Sequence, residues 1–297
     1  MKCDLCPRKC LVDRKKGEKG ICGQTENLKV ARAALHFWEE PCISGDAGSG
    51  AVFFSGCPLH CVFCQNENIA NGTVGKEISL ERLVDIFFEL QEKRANNINL
   101  VTPGHFVPQI VKALDQARKE GLTLPVVYNT SSYETVDTIK MLEGYVDIYL
   151  PDFKYMSPVL SKKYSRAPDY AEVAKAAIAE MVRQTGKAVF VNGDEDNLIL
   201  SGTIVRHLTL PGCMADSMQI VKYLHDTYGD MIYISIMNQF TPLSNLEKYP
   251  ELNRRITDEE YETLVDYAIE IGIENGFIQE GNTAEESFIP AFDCEGV

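Results

Sequence analysis

The chain has 297 residues, of which 45% are hydrophobic and 24% charged, and its net charge at pH 7 is −14. That length suffices for one large α/β domain with a full core. The negative charge disfavours nucleic acid as a partner, because its phosphates would be repelled. No stretch approaches the ~20 apolar residues of a membrane span, and the first residues lack the apolar core of a secretory signal. We therefore expect a cytoplasmic protein without a membrane partner.

A first group of cysteines lies at the N-terminus. Cys3, Cys6, Cys10 and Cys22 follow the pattern C-x2-C-x3-C-x11-C. In a cytoplasmic protein, cysteines indicate metal binding and not disulfides. Four thiolates in so short a span are enough for a closed zinc site or for an iron–sulfur cluster, and these two alternatives are favoured equally over a third, free thiols. Residues 1–50 are thus predicted to form a small cysteine-rich cap.

The end of this predicted cap concentrates ionisable and aromatic groups in the sequence His36-Phe-Trp-Glu-Glu-Pro41. Such a segment is compatible with a site, but a packed cap is the simpler interpretation. We expect Glu39 and Glu40 to be a solvated pair on its surface.

A second group of cysteines follows the apolar run 51–54. Cys57, Cys61 and Cys64 are spaced C-x3-C-x2-C and would form a soft, negatively charged pocket. An iron–sulfur cluster usually takes four cysteines, so a cubane held by three leaves one iron open for chemistry. A zinc site completed by His60 is disfavoured, because His60 and Cys61 are neighbours and could hardly reach one metal with good geometry.

The remainder of the chain alternates between strand and helix. Short apolar runs are typical of buried parallel strands, and amphipathic stretches with helical period lie between them. Strands are predicted at 51–56, 98–102, 124–129, 146–152, 203–210 and 231–237, helices at 79–90, 108–120, 133–142, 170–185, 215–228 and 258–271, and an edge strand at 277–279. Six β/α units predict a parallel (β/α)6 barrel over residues 51–297. Chemistry in such barrels lies at the carboxyl ends of the strands, where the cysteine loop falls.

The cysteine loop resembles that of the radical S-adenosylmethionine (SAM) superfamily. The resemblance implies a partial TIM barrel and a [4Fe-4S] cluster on Cys57, Cys61 and Cys64, whose open iron binds SAM. Reductive cleavage of SAM would yield a 5′-deoxyadenosyl radical that abstracts hydrogen from a substrate. Phe63 matches the aromatic residue that packs near adenine in the family. Thr102 begins the segment that meets the SAM amino group in many members, here through backbone groups alone, because the usual glutamate is missing.

Nearly the whole chain resembles one subgroup, the PflX-type proteins related to pyruvate formate-lyase activating enzyme. The segments behind this resemblance include Cys-x2-Cys-Pro-Arg-x-Cys, Trp-Glu-Glu-Pro and Val-Asp-Ile-Tyr-Leu-Pro-Asp-Phe-Lys. It implies that Asn129 and Thr130 occupy the positions of a SAM-side Asp-Thr pair. It also implies two candidate catalytic residues, Asp152, which would help to bind a monovalent cation near SAM, and Lys154, which would face the SAM and substrate region. Because Asn129 stands where the activases carry aspartate, their monovalent cation is in doubt.

Further polar residues fall at the ends of later strands. Asn238 is suited to hydrogen bonding with adenine or ribose hydroxyls, or with peptide groups of a substrate. Strand alternation puts Arg206 on one face, where it could pair with Asp152 or with a substrate carboxylate, and His207 on the other.

The function predicted from these residues is a radical SAM enzyme of the oxidoreductase or activase type. Its substrate is predicted as a glycine of a partner protein or another peptide, with a small molecule as the alternative. A flavodoxin or ferredoxin is the implied electron donor. The alternative outside the enzymes is a non-catalytic iron–sulfur or zinc regulator. Asp152 and Lys154 argue against it, because a regulator needs no cavity lined by charged side chains.

Overall fold

The computed structural model describes residues 2–193, 197–242, 246–279 and 290–297. Its strands are β1 (Leu28–His36), β2 (Ser49–Phe54), β3 (Lys76–Ile78), β4 (Ile98–Val101), β5 (Val126–Thr130), β6 (Ile148–Pro151), β7 (Val189–Phe190), β8 (Ile199–Leu208), β9 (Tyr233–Met237) and β10 (Gly276–Ile278). Its α-helices are α1 (Pro41–Ser44), α2 (Glu67–Ala70), α3 (Leu80–Glu92), α4 (Val107–Glu120), α5 (Val136–Lys140), α6 (Pro158–Ser165), α7 (Tyr170–Thr185), α8 (Met214–Tyr228) and α9 (Asp258–Glu270).

The main sheet runs in the order β10-β9-β8-β6-β5-β4-β2-β1-β3. Its strands from β10 to β2 are parallel, whereas β1 pairs antiparallel with both β2 and β3. Among the described strands the sheet does not close, because β10 and β3 lie at opposite ends of this order. The predicted α/β fold, a mostly parallel partial barrel, is confirmed.

The helices begin and end where local chemistry directs them. Ser79 caps α3 by accepting a hydrogen bond from the Arg82 amide. Gly121 ends α4 in the left-handed region, with φ of 109°. The apolar faces of α3 and α4 pack on the buried strands β2, β4 and β5 in one core cluster. None of the helices in the described part of the chain is long and apolar enough to cross a membrane.

The largest difference from the sequence prediction lies in the segment assigned to the cap. Residues 28–36 form β1, which pairs along β2 from Val30 opposite Phe54 to His36 opposite Ser49. The division of the chain at residue 50 stays a prediction, but β1 is built into the barrel sheet. Helix α5 is also shorter than predicted, because Thr135 caps it by accepting from the Thr138 amide.

The last residues of the chain cover part of β1. The Cys294 amide donates to the Ala31 carbonyl at 3.0 Å, and the Ala33 amide donates to the Glu295 carbonyl at 2.9 Å. The Arg32 side chain forms ion pairs with Asp293 and Glu295. Residues 293–295 therefore satisfy backbone groups of β1 beyond its short pairing with β3.

Candidate functional site

A cavity of about 420 Å³ lies inside the barrel. One part of its wall is the cysteine loop that follows β2, and another is the segment from His36 to Pro41 that follows β1. Because β1 runs antiparallel to β2, these two segments lie at opposite ends of β2. With a rise of about 3.3 Å per residue, a six-residue strand spans roughly 17 Å. The cavity therefore extends along the barrel axis.

The cysteine loop brings Cys57, Cys61 and Cys64 to the cavity wall, as predicted. The Leu59 amide donates to the Cys57 sulfur at 3.4 Å, and the Ser165 hydroxyl donates to the Cys61 sulfur at 3.0 Å. Hydrogen bonds of this kind fix the orientation of sulfur ligands. The loop therefore presents three oriented sulfurs at the carboxyl end of β2.

The electrostatics of these thiols call for a positive partner. Burial, together with a smaller effect of the neighbouring Cys61 thiol, raises the pKa of Cys57 to about 11 and that of Cys64 to about 12. As bare thiolates the three groups would repel one another inside the protein. Bound metal supplies the positive charge that keeps such sulfurs deprotonated. The donor set thus fits a metal cluster.

The N-terminal cysteines also gather in one place. Burial raises the pKa of Cys6 to about 12, with smaller increases from the charges of Cys22, Cys10 and Cys3. The Ile21 amide donates to the Cys10 sulfur at 3.3 Å. Four thiols from separate turns therefore lie within electrostatic reach of one another.

This N-terminal group lies directly against the cysteine loop. The His60 ring hydrogen bonds to the Ile21 carbonyl at 2.8 Å. Gly56 has φ of 93°, and a Cβ placed there would stand 2.5 Å from the Cys22 carbonyl oxygen. Arg8 donates to the carbonyls of Pro58 and Ser165 on the other side of the loop. Only glycine allows this close approach of the two cysteine segments.

In the part of the chain that the structure describes, no three His, Cys, Asp or Glu side chains converge tightly enough to hold one metal ion. A four-iron cluster makes no such demand, because each of its cysteines binds a different iron. A closed zinc site at Cys3, Cys6, Cys10 and Cys22 would require those side chains to move closer together.

Asp152 and Lys154 lie inside the cavity and are paired. The Lys154 ammonium donates to Asp152 at 2.6 Å, and their side chains are 17% and 16% exposed respectively. Burial alone would raise the pKa of Asp152, but Lys154 and Arg206 outweigh it and hold that pKa below its ordinary value. Asp152 is therefore an anion that is held in place by two cations.

Arg206 organises the interior by donating to three partners. It donates to Asp152 at 3.0 Å, to Glu39 at 2.9 Å and to the Asn129 side-chain oxygen at 2.6 Å. Of the two partners considered from the sequence, the structure gives it Asp152 and adds Glu39. His207, on the opposite face of β8, is buried and bonds to the Phe153 carbonyl and the Ser217 hydroxyl.

The expectation of a solvated Glu39–Glu40 pair is wrong. The Glu39 side chain is 8% exposed and Glu40 is 8% exposed as a residue. The Glu39 carboxylate accepts hydrogen bonds from Arg206 and from the side-chain amides of Asn99 and Asn129. The antiparallel pairing of β1 delivers both carboxyl groups into the barrel, and the apolar–polar alternation at the start of 28–36 was the available signal for that strand.

Four of the five residues predicted to bind SAM line the same cavity, namely Phe63, Thr102, Asn129 and Thr130. Phe63 is buried against the rings of Tyr155, Tyr164 and Phe240. Thr102 has φ of 56°, a left-handed conformation in which a non-glycine residue is strained. Asn238 follows β9 as predicted but is not among the residues that line the cavity, whereas its neighbour Gln239 is.

A buried carboxyl that the sequence did not reveal supports Thr130 from behind. Glu134 accepts hydrogen bonds from the Thr130 hydroxyl and, at 2.6 Å, from the Tyr128 hydroxyl. A Cβ on Gly104 would stand 2.8 Å from the Glu134 carboxyl carbon. Burial raises the pKa of Glu134. Glu134 thus links the segment after β4 to the segment after β5.

Comparison with known proteins agrees with this arrangement. Residues 51–194 match the family model of the Radical SAM superfamily. An uncharacterized protein of Methanocaldococcus jannaschii is 27% identical over 272 residues, which cover 90% of this chain and 74% of that protein.

Two solved structures share the fold. SuiB of Streptococcus suis, solved with S-adenosylmethionine bound, has a TM-score of 0.52 and 13% identity, covering 76% of this chain and 49% of its own. HydG, a maturase of the [FeFe]-hydrogenase, has a TM-score of 0.51 and 14% identity, covering 78% of this chain and 52% of its own. The chain thus spans about half the length of each. Residues 51–194, which include the cysteine loop at the carboxyl end of β2, are thus similar in sequence to the Radical SAM superfamily.

Proposed function

We propose that the protein is a radical SAM enzyme whose [4Fe-4S] cluster is held by Cys57, Cys61 and Cys64. The observation that carries the proposal is that these thiols share one cavity with Asp152 and Lys154. When bound, cluster and SAM would supply a 5′-deoxyadenosyl radical able to take a hydrogen atom from a substrate. A non-catalytic metal protein would not need paired charges inside the barrel, since burying them costs several kcal/mol of desolvation per ion, as an order of magnitude.

The residues of the cavity have separate roles in this proposal. Phe63, Thr102 and Thr130 bind SAM, with Glu134 positioning Thr130 from behind. Asn129 also binds SAM, and its side chain is held in place by Arg206 and Glu39. We assign Asn238 a supporting role at the end of β9, because its backbone amide is held by the Gln279 side chain at 2.9 Å.

Lys154 and Asp152 act as a fixed pair beside the reacting groups. The Tyr170 hydroxyl donates to the Asp152 carbonyl and accepts from the Lys154 amide, so both residues are held by backbone as well as side-chain contacts. A pair so restrained keeps its charges oriented without reorganising. We assign Lys154 the role of contacting SAM or substrate and Asp152 that of orienting Lys154.

For the substrate we propose a peptide or protein segment, in line with the activase-like motifs. SuiB, which shares the fold, has been solved bound to its precursor peptide SuiA. By the same resemblance the hydrogen would come from a glycine of a partner protein. A small-molecule substrate is the second candidate, because a cavity of about 420 Å³ lies within the size range of small-molecule sites.

We further propose that Cys3, Cys6, Cys10 and Cys22 form a second metal centre, either zinc or a second [4Fe-4S] cluster. The contact between Ile21 and His60 supports this proposal, because it joins the two cysteine segments directly. A flavodoxin or ferredoxin remains the proposed electron donor. Metal analysis distinguishes zinc from a second cluster at this centre, because zinc adds no iron whereas a second [4Fe-4S] cluster doubles the iron content.

The test is anaerobic reconstitution with iron and sulfide, followed by dithionite and SAM. We expect a [4Fe-4S]⁺ EPR signal that shifts when SAM is added, and formation of 5′-deoxyadenosine. Cys61→Ala should abolish both, whereas Cys213→Ala, a partly buried thiol outside the cysteine loop, should retain both. SAM cleavage by Cys61→Ala, or a cluster whose signal ignores SAM, would refute the proposal.

A further inference from the structure

The carboxyl groups of the cavity outnumber its cationic groups. Its wall contains three carboxyl groups, those of Glu39, Glu40 and Asp152, but two cationic groups, those of Lys154 and Arg206. His36 also lies on the wall, and burial lowers its pKa to about 4, so it is neutral at pH 7. Among the described residues of this wall, one carboxyl group therefore has no matching cation.

The hydrogen bonds identify Glu40 as that group. Asp152 is occupied by Lys154 and Arg206, and Glu39 by Arg206 and two side-chain amides. Glu40, in contrast, has a buried Oε2 atom without a hydrogen-bond partner. A carboxyl oxygen that is removed from water and left unpaired is costly, and native proteins rarely retain one without a ligand or function.

The backbone holds Glu40 firmly at this position. Its carbonyl accepts from the amides of Ile43 and Ser44, and Pro41 follows it as the first residue of α1. The hydroxyl of Ser235 lies beside the carboxyl group. Arg206 is near but is already engaged with three other acceptors. Arg206 is therefore not free to pair with Glu40 as well.

The surroundings of Glu40 suit an organic cation. The rings of Trp38 and Phe277 belong to the same cavity wall, and aromatic faces attract ammonium and guanidinium groups. Glu40 precedes β2 whereas the cysteine loop follows it, so the two lie at opposite ends of that strand. A ligand held at Glu40 therefore extends from there toward the cysteine loop.

We infer that Glu40 binds a positively charged group of the substrate, an ammonium or a guanidinium, at the end of the cavity opposite the cysteine loop. That the bound group belongs to a substrate rests on the proposed function, but cation binding itself requires neither SAM nor a reduced cluster. A failure of SAM cleavage and a failure of cation binding are thus separate results.

The experiment measures binding of methylguanidinium and methylammonium to the full-length protein by saturation-transfer NMR at constant ionic strength, without SAM. We expect either probe to bind the wild type about tenfold more tightly than Glu40→Gln, which keeps the shape but not the charge. Glu262→Gln, an exposed residue of α9, is the matched control and should bind like the wild type. Glu40→Asp should bind several-fold more weakly than the wild type.

Potassium distinguishes an inorganic cation from a substrate group. We expect a tenfold excess of potassium chloride over the probe to leave the probe bound. Displacement by potassium at equal concentration would instead identify a metal-cation site and overturn the inference. Equal probe binding by wild type and Glu40→Gln, or no binding by a wild type that circular dichroism shows to be folded, would overturn it as well.

Discussion

Replacing Arg206 by methionine tests whether the buried charges hold the barrel together. The substitution preserves an unbranched stem but removes the charge that Asp152 and Glu39 share. The side chains involved are only 14%, 16% and 8% exposed, in the order Arg206, Asp152 and Glu39. Removing one partner of a buried ion pair costs about 3–5 kcal/mol, because the remaining charge stays buried. We expect the free energy of unfolding to fall by that amount.

The assay is urea denaturation followed by circular dichroism, with the slope compared between variants. Lys222→Met is the control, because Lys222 pairs with Asp226 and the two side chains are 55% and 54% exposed. Exposed pairs contribute about 0–1 kcal/mol, so this variant should unfold close to the wild type.

A double variant sharpens the comparison. Combining Arg206→Met with Glu39→Gln removes one of the two orphaned charges and should restore part of the lost stability, about 1–3 kcal/mol. If the free energy of unfolding of Arg206→Met lies within about 1 kcal/mol of that of Lys222→Met, the view of Arg206 as the organiser of the cavity is refuted.

Three further results follow from the structure. Gly56→Ala should destabilise the protein by about 1–3 kcal/mol and lower its iron content after reconstitution, because the left-handed φ and the Cys22 carbonyl exclude a Cβ; unchanged melting temperature and iron would contradict this. Lys154→Ala should retain the cluster signal but form 5′-deoxyadenosine about tenfold more slowly; an unchanged rate would make Lys154 structural. Burial lowers the pKa of His105 to about 3 and that of His207 to about 4. Because both pKa values lie below the ordinary value of 6.5, the neutral buried histidines stabilise the fold fully above pH 6.5. This stabilisation is lost as the pH falls toward 4, by up to about 1.4 kcal/mol per pH unit for each histidine. Urea midpoints between pH 7 and 5 measure this loss, and His207→Gln should have a shallower slope.

The features that the sequence predicted well are those set by nearby residues. The apolar runs of the parallel strands, the Ser79 cap and the glycine after α4 each act within one or two turns of chain. The bounds of α7 agree with the prediction of 170–185, since Gly186 follows directly. The cysteine spacing likewise placed the loop at the carboxyl end of β2 because the preceding apolar run is short and unbroken.

The features that escaped prediction depend on contacts between distant segments. Burial of Glu39 and Glu40 follows from pairing of β1 with β2, and no local pattern specifies that a charged turn will enter the barrel. Arg206 finds Glu39 across a separation of 167 residues. Glu134 lies in a polar stretch after β5, where burial could not be inferred from its neighbours. These side chains are polar residues in the interior, against the general trend that sequence patterns exploit.

The cover that residues 293–295 provide for β1 bears on how the protein behaves at high concentration. A strand edge with free amides and carbonyls is a template for pairing with the same strand of another molecule. Here the Ala31 carbonyl and the Ala33 amide are already occupied by the Cys294 amide and the Glu295 carbonyl. The ion pairs of Arg32 fasten this cover in place. Residues 293–295 therefore oppose self-association, and any fusion or deletion that displaces them would favour aggregation along β1.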